Sequence, residues 1–224
     1  LMVCGVNLMG PNTIGDFPPT AYYLISSIAS FLSIVLPFSF FLCFGKRKLS
    51  DTVLVEKNGV LNSILLVFAG LAVSVLMNIP ANLISQLLED AGLNGDANTA
   101  DLLALTPVQA LTMFVSVVLV APVTEEFAFR SVTTAVMRRW GDWPAVIFSA
   151  LIFGMAHYSI QSLPVVLTAG FVMALLYVRT RNIWVNIFVH MLNNLLATLP
   201  IALEGLVGAD AANITSNLLT YIVY

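Results

Sequence analysis

The sequence predicts an all-α protein, a polytopic membrane bundle of six to seven transmembrane helices with an intramembrane polar cavity. Three observations lead there. Of 224 residues, 59% are hydrophobic and only 9% charged, whereas soluble domains carry about 25% charged residues. Mean hydropathy is +0.94. Apolar stretches long enough to cross a bilayer recur along the chain, and backbone groups in lipid must be satisfied within their own segment, which selects helices. The formal net charge of −3 says little, because the placement of charge matters more. The lipid bilayer is the expected partner, and no nucleic acid is.

Residues 1–20 contain Pro11, Pro18, Pro19 and several glycines, and lack the basic start of a signal peptide. With Leu1 in place of an initiator Met, they read as the start of a trimmed or partial sequence. The main hydrophobic segments follow at about 21–45, 59–88, 107–139, 143–160, 163–179 and 182–203. A seventh, 211–224, is apolar but short, and reads as a partial span or an interfacial helix. Pro122 lies inside the third segment and is expected to kink that helix without ending it. Cys43 lies in an apolar span and Cys4 near the start, so a disulfide framework is not expected and each reads as a small apolar residue. No internal repeat stands out. The expected organisation is a segment 1–106 with two spans and an acidic extracytoplasmic loop, a core 107–203, and a tail 204–224.

Charge sets the orientation. Lys46, Arg47, Lys48, Lys57, Arg138, Arg139, Arg179 and Arg181 all fall in the connections after the first, third and fifth segments. Arg130 alone among the basic residues is intramembrane. The opposite connections hold Asp16, Glu89, Asp90, Asp96, Asp101, Glu204 and Asp210 with no basic residue. The positive-inside rule then puts the basic connections in the cytoplasm and the loop near 89–106 outside. A rise of 1.5 Å per residue places Glu125 and His157 each about 21 Å from the basic ends of their segments, with His190 at about 14 Å and Asn194 at about 20 Å. Polar groups on three helices therefore reach similar depth.

The run Ala121-Pro-Val-Thr-Glu-Glu-Phe-Ala-Phe-Arg130 puts two carboxylates and a guanidinium inside a membrane segment. A charge near the bilayer centre costs about 2.5–3.5 kcal/mol on insertion scales, so such groups are kept for a use. Glu126 and Arg130 are spaced i, i+4 and share a helix face, which suits an internal ion pair that reduces the cost of both charges. Glu125 lies about 100° away round the helix and has no cation at the next turn. It is the carboxylate free to take a proton, the role of a general base. His157 closes the run Phe153-Gly-Met-Ala-His157, and His190 and Asn194 share a face in His190-Met-Leu-Asn-Asn194. Taken singly, each reads equally as packing or interhelical hydrogen bonding. Together with Glu125 at matching depth they suggest a hydrolytic site. Glutamate and histidine would hold and deprotonate water, and a second histidine and an amide would stabilise an oxyanion. The competing arrangement is a zinc site of Glu125, His157 and His190, assembled across helices because no HExxH spacing is present. Ser131 and Ser149 carry no signature of an activated nucleophile.

These motifs, Glu125-Glu126-x-x-x-Arg130, Phe153-x-x-x-His157 and His190-x-x-x-Asn194, resemble those of the CPBP intramembrane proteases. That family comprises the CAAX prenyl endopeptidases and bacterial relatives linked to bacteriocin processing and immunity. The resemblance covers about residues 107–200; each motif alone is weak, and the ordered set is specific. Ser131 stands where the family usually has glycine after the arginine. The resemblance implies an endopeptidase acting on a membrane-embedded or membrane-associated peptide or protein, in a multi-pass protein of a bacterial plasma membrane. It implies that Glu125 and His157 activate water, that His190 and Asn194 form the oxyanion hole, and that Glu126 and Arg130 support them. It favours a mechanism without cofactor, with zinc as the alternative. Two other readings stand beside it. One is a transporter that uses the intramembrane charges as a relay, against which there is no inverted repeat. The other is an immunity protein without turnover.

Overall fold

A computed structural model of the chain describes residues 2–3, 6–7, 19–45, 48–93, 107–157 and 160–207. Two short strands, β1 (Met2–Val3) and β2 (Val6–Asn7), pair antiparallel with Met2 opposite Asn7. An isolated bridge joins Val55 to Asn182. The remaining regular structure among the described residues is helical. The all-α expectation holds for the bundle, and the small hairpin is an addition to it.

Helix α1 runs through Pro19–Ser30, a π-helical Phe31–Val35 and Leu36–Phe44. A single turn α2 (Leu49–Thr52) follows, then α3 (Val60–Asp90), α4 (Pro107–Trp140), α5 (Asp142–Met155), α6 (Leu163–Thr180) and α7 (Ile183–Val207). Among the described residues four helices are long and apolar enough to cross a membrane: Tyr23–Phe44 within α1, α3, α4 and α6. Shorter apolar helices are α5 and the Ile183–Leu199 part of α7. The fourth expected segment, 143–160, is cut short, because α5 ends at Met155. The apolar stretch 211–224, Cys4 and most of the acidic loop lie outside the described residues. Cys43 is a free, exposed thiol on α1. Large apolar side chains such as Phe68, Leu76, Leu111 and Phe188 point outward, as suits a surface solvated by lipid and not by water. The chain is an integral membrane protein.

The helix α4 does not remain α-helical. It passes through a π stretch Phe114–Val120, an α turn Ala121–Glu125 and a second π stretch Glu126–Thr133. Pro122 explains the first. A proline offers no N–H and its ring crowds the carbonyl one turn back, and a wider i→i+5 register accommodates both. As expected, Pro122 does not end the helix, which continues to Trp140. Ser116 in the wide stretch donates to the Tyr23 carbonyl at 2.6 Å and touches Ser27, which ties α1 to α4.

The core gathers Ile34 of α1, Ala128 and Phe129 of α4, Phe153 of α5, Ala169 and Met173 of α6, and Val189 of α7. Phe129 and Phe153 meet edge to face at 5.4 Å. Helices α5 and α6 come close at Gly170, where an added Cβ would lie 2.9 Å from Phe153 Cδ1 and 3.3 Å from Ala150 Cα. That clearance seats Phe153 in the core. At one end of the bundle the connection before α3 is stitched to the α6–α7 turn. The Glu56 amide donates to the Arg181 carbonyl and the Ile183 amide to the Leu54 carbonyl, both at 2.9 Å. Tyr177 donates its hydroxyl to the Thr52 carbonyl at 2.9 Å and accepts from the Leu54 amide at 3.1 Å. Arg138, from the end of α4, lines one cavity with Thr52 and Arg181. Residues from all three basic connections therefore share one end. At the other, Gln161 donates to Glu89 at 3.0 Å.

Candidate active site

Glu126 and Arg130 are fully buried and 3.3 Å apart. None of the three guanidinium nitrogens makes an aligned hydrogen bond, so the pair is held by charge more than by donor geometry. The Phe153 ring supplies a second contact, with Arg130 Cζ at 4.1 Å from its centroid. Core packing and charge compensation thus meet in one side chain.

Glu126 also organises α7. Its Oε1 is 2.9 Å from His190 Nδ1, and its Oε2 accepts from Asn186 Nδ2 at 3.4 Å. Asn186 is fully buried and also donates to the Met173 carbonyl at 2.5 Å. A carboxylate at Nδ1 fixes the ring orientation and keeps a proton on that nitrogen. The other ring nitrogen, Nε2, then faces Glu125 at 3.8 Å. Glu125 keeps 18% of its side chain open, while Glu126 keeps none. Of the two carboxylates, Glu125 is the one a reactant can reach.

Asn194 is set by the backbone irregularity in α4. In the i→i+5 register the Ala121 amide bonds to the Ser116 carbonyl. The next donor in that series would be residue 122, which is proline and has none. The Val117 carbonyl so released accepts from Asn194 Nδ2 at 2.9 Å. Proline, wide turn and amide form one chain of cause, and Asn194 comes to rest against the helix that carries Glu125.

His157 lies in the turn just beyond α5, not on a helix as its motif suggested. Its amide bonds back to Gly154 at 3.1 Å, and its ring Nδ1 is 2.8 Å from the Phe153 carbonyl. The side chain caps a helix end whose carbonyls lack intrahelical donors. The ring packs 4.7 Å from Phe153, which in turn stands 5.8 Å from His190. Phe153 is thus shared by Arg130 and both histidines.

Asn186 was not singled out from the sequence. The signal was present: Asn186, His190 and Asn194 follow one another at i, i+4 and i+8, a polar stripe on an apolar helix. Asn193, beside that stripe, is partly buried. Ser149 donates to the Phe129 carbonyl at 2.8 Å, a packing role. For the zinc alternative, Glu125, His157 and His190 would have to converge. Among the described residues no three His, Cys, Asp or Glu side chains do so. The contacts at Nδ1 of both histidines leave each Nε2 as the nitrogen that could ligate, so it is the lack of convergence, not the ring contacts, that speaks against a zinc site as arranged.

The fold and the site define a helical membrane protein in which one buried and one partly open glutamate face a histidine and amide stripe. Residues 107–196 match the family described as Type II CAAX prenyl endopeptidase Rce1-like. The chain is also 31% identical over 140 residues to the Bacillus subtilis (strain 168) protein named "Putative membrane peptidase YdiL". That alignment covers 62% of this chain and 57% of the other. No solved structure matches the chain. Over residues 107–196 the chain is similar to that family, and it spans little more than half the length of the curated relative it matches.

Proposed function

We propose that this protein is an intramembrane endopeptidase that hydrolyses a peptide bond of a membrane-embedded or membrane-associated peptide or protein. The observation that carries the proposal is the approach of Glu125 to His190 at 3.8 Å in a largely buried, apolar setting, with Glu126 holding the far side of the ring. Glu125 takes a proton from water, with the free Nε2 of His157 as the second partner of that water. The water oxygen bonds to the carbonyl carbon, the carbonyl oxygen takes up negative charge that His190 Nε2–H and the remaining amide hydrogen of Asn194 stabilise, and collapse breaks the C–N bond as Glu125 passes its proton to the departing amine. That role uses a hydrogen on Nε2, while Glu126 holds the ring at Nδ1. Glu126, Arg130 and Asn186 position the ring without touching the substrate. The residues 107–203 form the proteolytic core, 1–106 and 204–224 its flanks, and the bacterial plasma membrane its site of action. Processing of a bacteriocin, or immunity to one, would be an instance of the same hydrolysis.

The test is an assay of the purified full chain on membrane-anchored peptides, with Glu125→Ala as control. Cleavage by the parent and none by the variant is expected. Equal cleavage by both, or no cleavage by the parent on any anchored peptide, would sink the reading. Chelation supplies a second check. Elemental analysis is expected to find no stoichiometric zinc in active protein, and dialysis against a chelator should leave the rate unchanged. Activity lost on chelation and restored by zinc would replace the carboxylate mechanism with a metal one.

The proposed orientation predicts a labelling pattern. In a background with Cys4 and Cys43 replaced by Ser, Asp96→Cys should react with an impermeant thiol reagent on intact cells. Lys57→Cys and Arg139→Cys should not. The reverse pattern would overturn the orientation.

A further inference from the structure

Two cavities open at the end of the bundle where the basic connections meet. The first, of about 220 Å³, has Asp51, Arg138 and Arg181 in its wall. Its two guanidinium groups are already compensated: Arg138 pairs with Asp142 at 2.9 Å and Arg181 with Glu56 at 2.5 Å. The second, of about 510 Å³, is a groove between the start of α3 and the end of α6. Its wall is apolar, made by Leu65, Leu66, Ala69 and Leu176. Its mouth is polar, made by Asn58, Asn62 and Arg179. Asn58 donates to the Thr180 carbonyl at 3.2 Å, which fixes the mouth to the last turn of α6. Arg179 is exposed and, among the described residues, forms no ion pair.

This layout matches one class of ligand. From Asn62 to Ala69 the helix descends about 10 Å, from the level of a headgroup to that of acyl chains. An uncompensated guanidinium and an amide at the top favour a phosphate without a balancing cation, because bidentate guanidinium–phosphate contact is strong. Basic pockets between membrane helices on the basic side bind anionic headgroups for that reason. The apolar wall faces the bilayer, so an acyl chain fills it without exposing it to water. We propose that the α3–α6 groove holds one anionic phospholipid from the leaflet on the basic side. Its phosphate rests on Arg179 and Asn62, and one acyl chain lies along Leu65, Leu66, Ala69 and Leu176. The site is independent of the proposed hydrolysis, because none of these residues belongs to the Glu125 cluster.

The probe is phosphatidylglycerol, added to the full chain purified in a neutral detergent, with phosphatidylcholine of the same acyl composition and inorganic phosphate as comparison arms. Phosphatidylglycerol is expected to raise the unfolding midpoint by several degrees, and native mass spectrometry to retain one molecule of it per chain. Phosphatidylcholine should give a much smaller shift and inorganic phosphate none. Arg179→Gln should lose the phosphatidylglycerol shift, and Ala69→Trp, which fills the groove and leaves Arg179 in place, should lose it too. Arg138→Gln, in the compensated cavity, should keep it. If Arg179→Gln does not fold, Ala69→Trp carries the test alone. Equal shifts with both lipids, a shift with phosphate alone, or a shift that survives Arg179→Gln or Ala69→Trp would overturn the proposal. Loss of the shift in Arg138→Gln alone would overturn it as well.

Discussion

Glu125→Gln should abolish peptide hydrolysis in a protein that still folds. Glutamine keeps the shape and the acceptor oxygen but cannot take a proton, and general-base catalysis contributes about 10²–10⁴-fold in rate. The fold should survive because Glu125 is not the partner of Arg130. That cation is compensated by Glu126 at 3.3 Å, and Glu125 is the partly open carboxylate of the two. The checks are a turnover measurement and a thermal melt on the same preparation. A rate within a few-fold of the parent would remove Glu125 from the mechanism. A melt several degrees lower would show that Glu125 is structural.

The converse behaviour is expected at Glu126 and Arg130. Removing one partner of a buried ion pair costs about 3–5 kcal/mol, because the other charge is left uncompensated. The two single variants should differ. Glu126→Ala strands Arg130 and His190 Nδ1 together and leaves Asn186 Nδ2 with the Met173 carbonyl alone. Arg130→Ala leaves Glu126 with its His190 and Asn186 partners. The glutamate variant should therefore express less and melt lower than the arginine variant. The double variant should be milder than the sum of the two. Glu126→Gln combined with Arg130→Met, which removes both charges at similar volume, should recover most of the stability but not the activity. Additive losses in the cycle, or a glutamate variant as stable as the arginine variant, would show that the pair does not organise this region.

Much of the architecture was legible in the sequence, for reasons that are local. Hydropathy over spans of about 20 residues reports burial in lipid directly. Hence the segments near 59–88, 107–139 and 163–179 correspond to α3, α4 and α6 within a few residues. The Glu126–Arg130 contact was legible too, since an i, i+4 spacing brings side chains together whatever the helix packs against. The end of α5 was not. A short helix that stops inside an apolar run leaves no hydropathy signal, and the turn after Met155 is closed by the Gly154 carbonyl and the His157 ring.

What the sequence determined by itself was an inventory: an all-helical membrane chain, the helices that carry its few polar groups, and their approximate depths. Tertiary structure alone decided which of these groups meet. His190 reaches both glutamates because α7 packs against the second π stretch of α4. Asn194 finds the Val117 carbonyl because an i→i+5 register, with proline in the place of its donor, releases that oxygen. Asn186 becomes part of the cluster only once Glu126 stands beside it. Side-chain spacing along one helix follows from 3.6 residues per turn, but a change of register and the rotation of one helix against another are collective. They follow from how six apolar surfaces and one buried ion pair are satisfied at once.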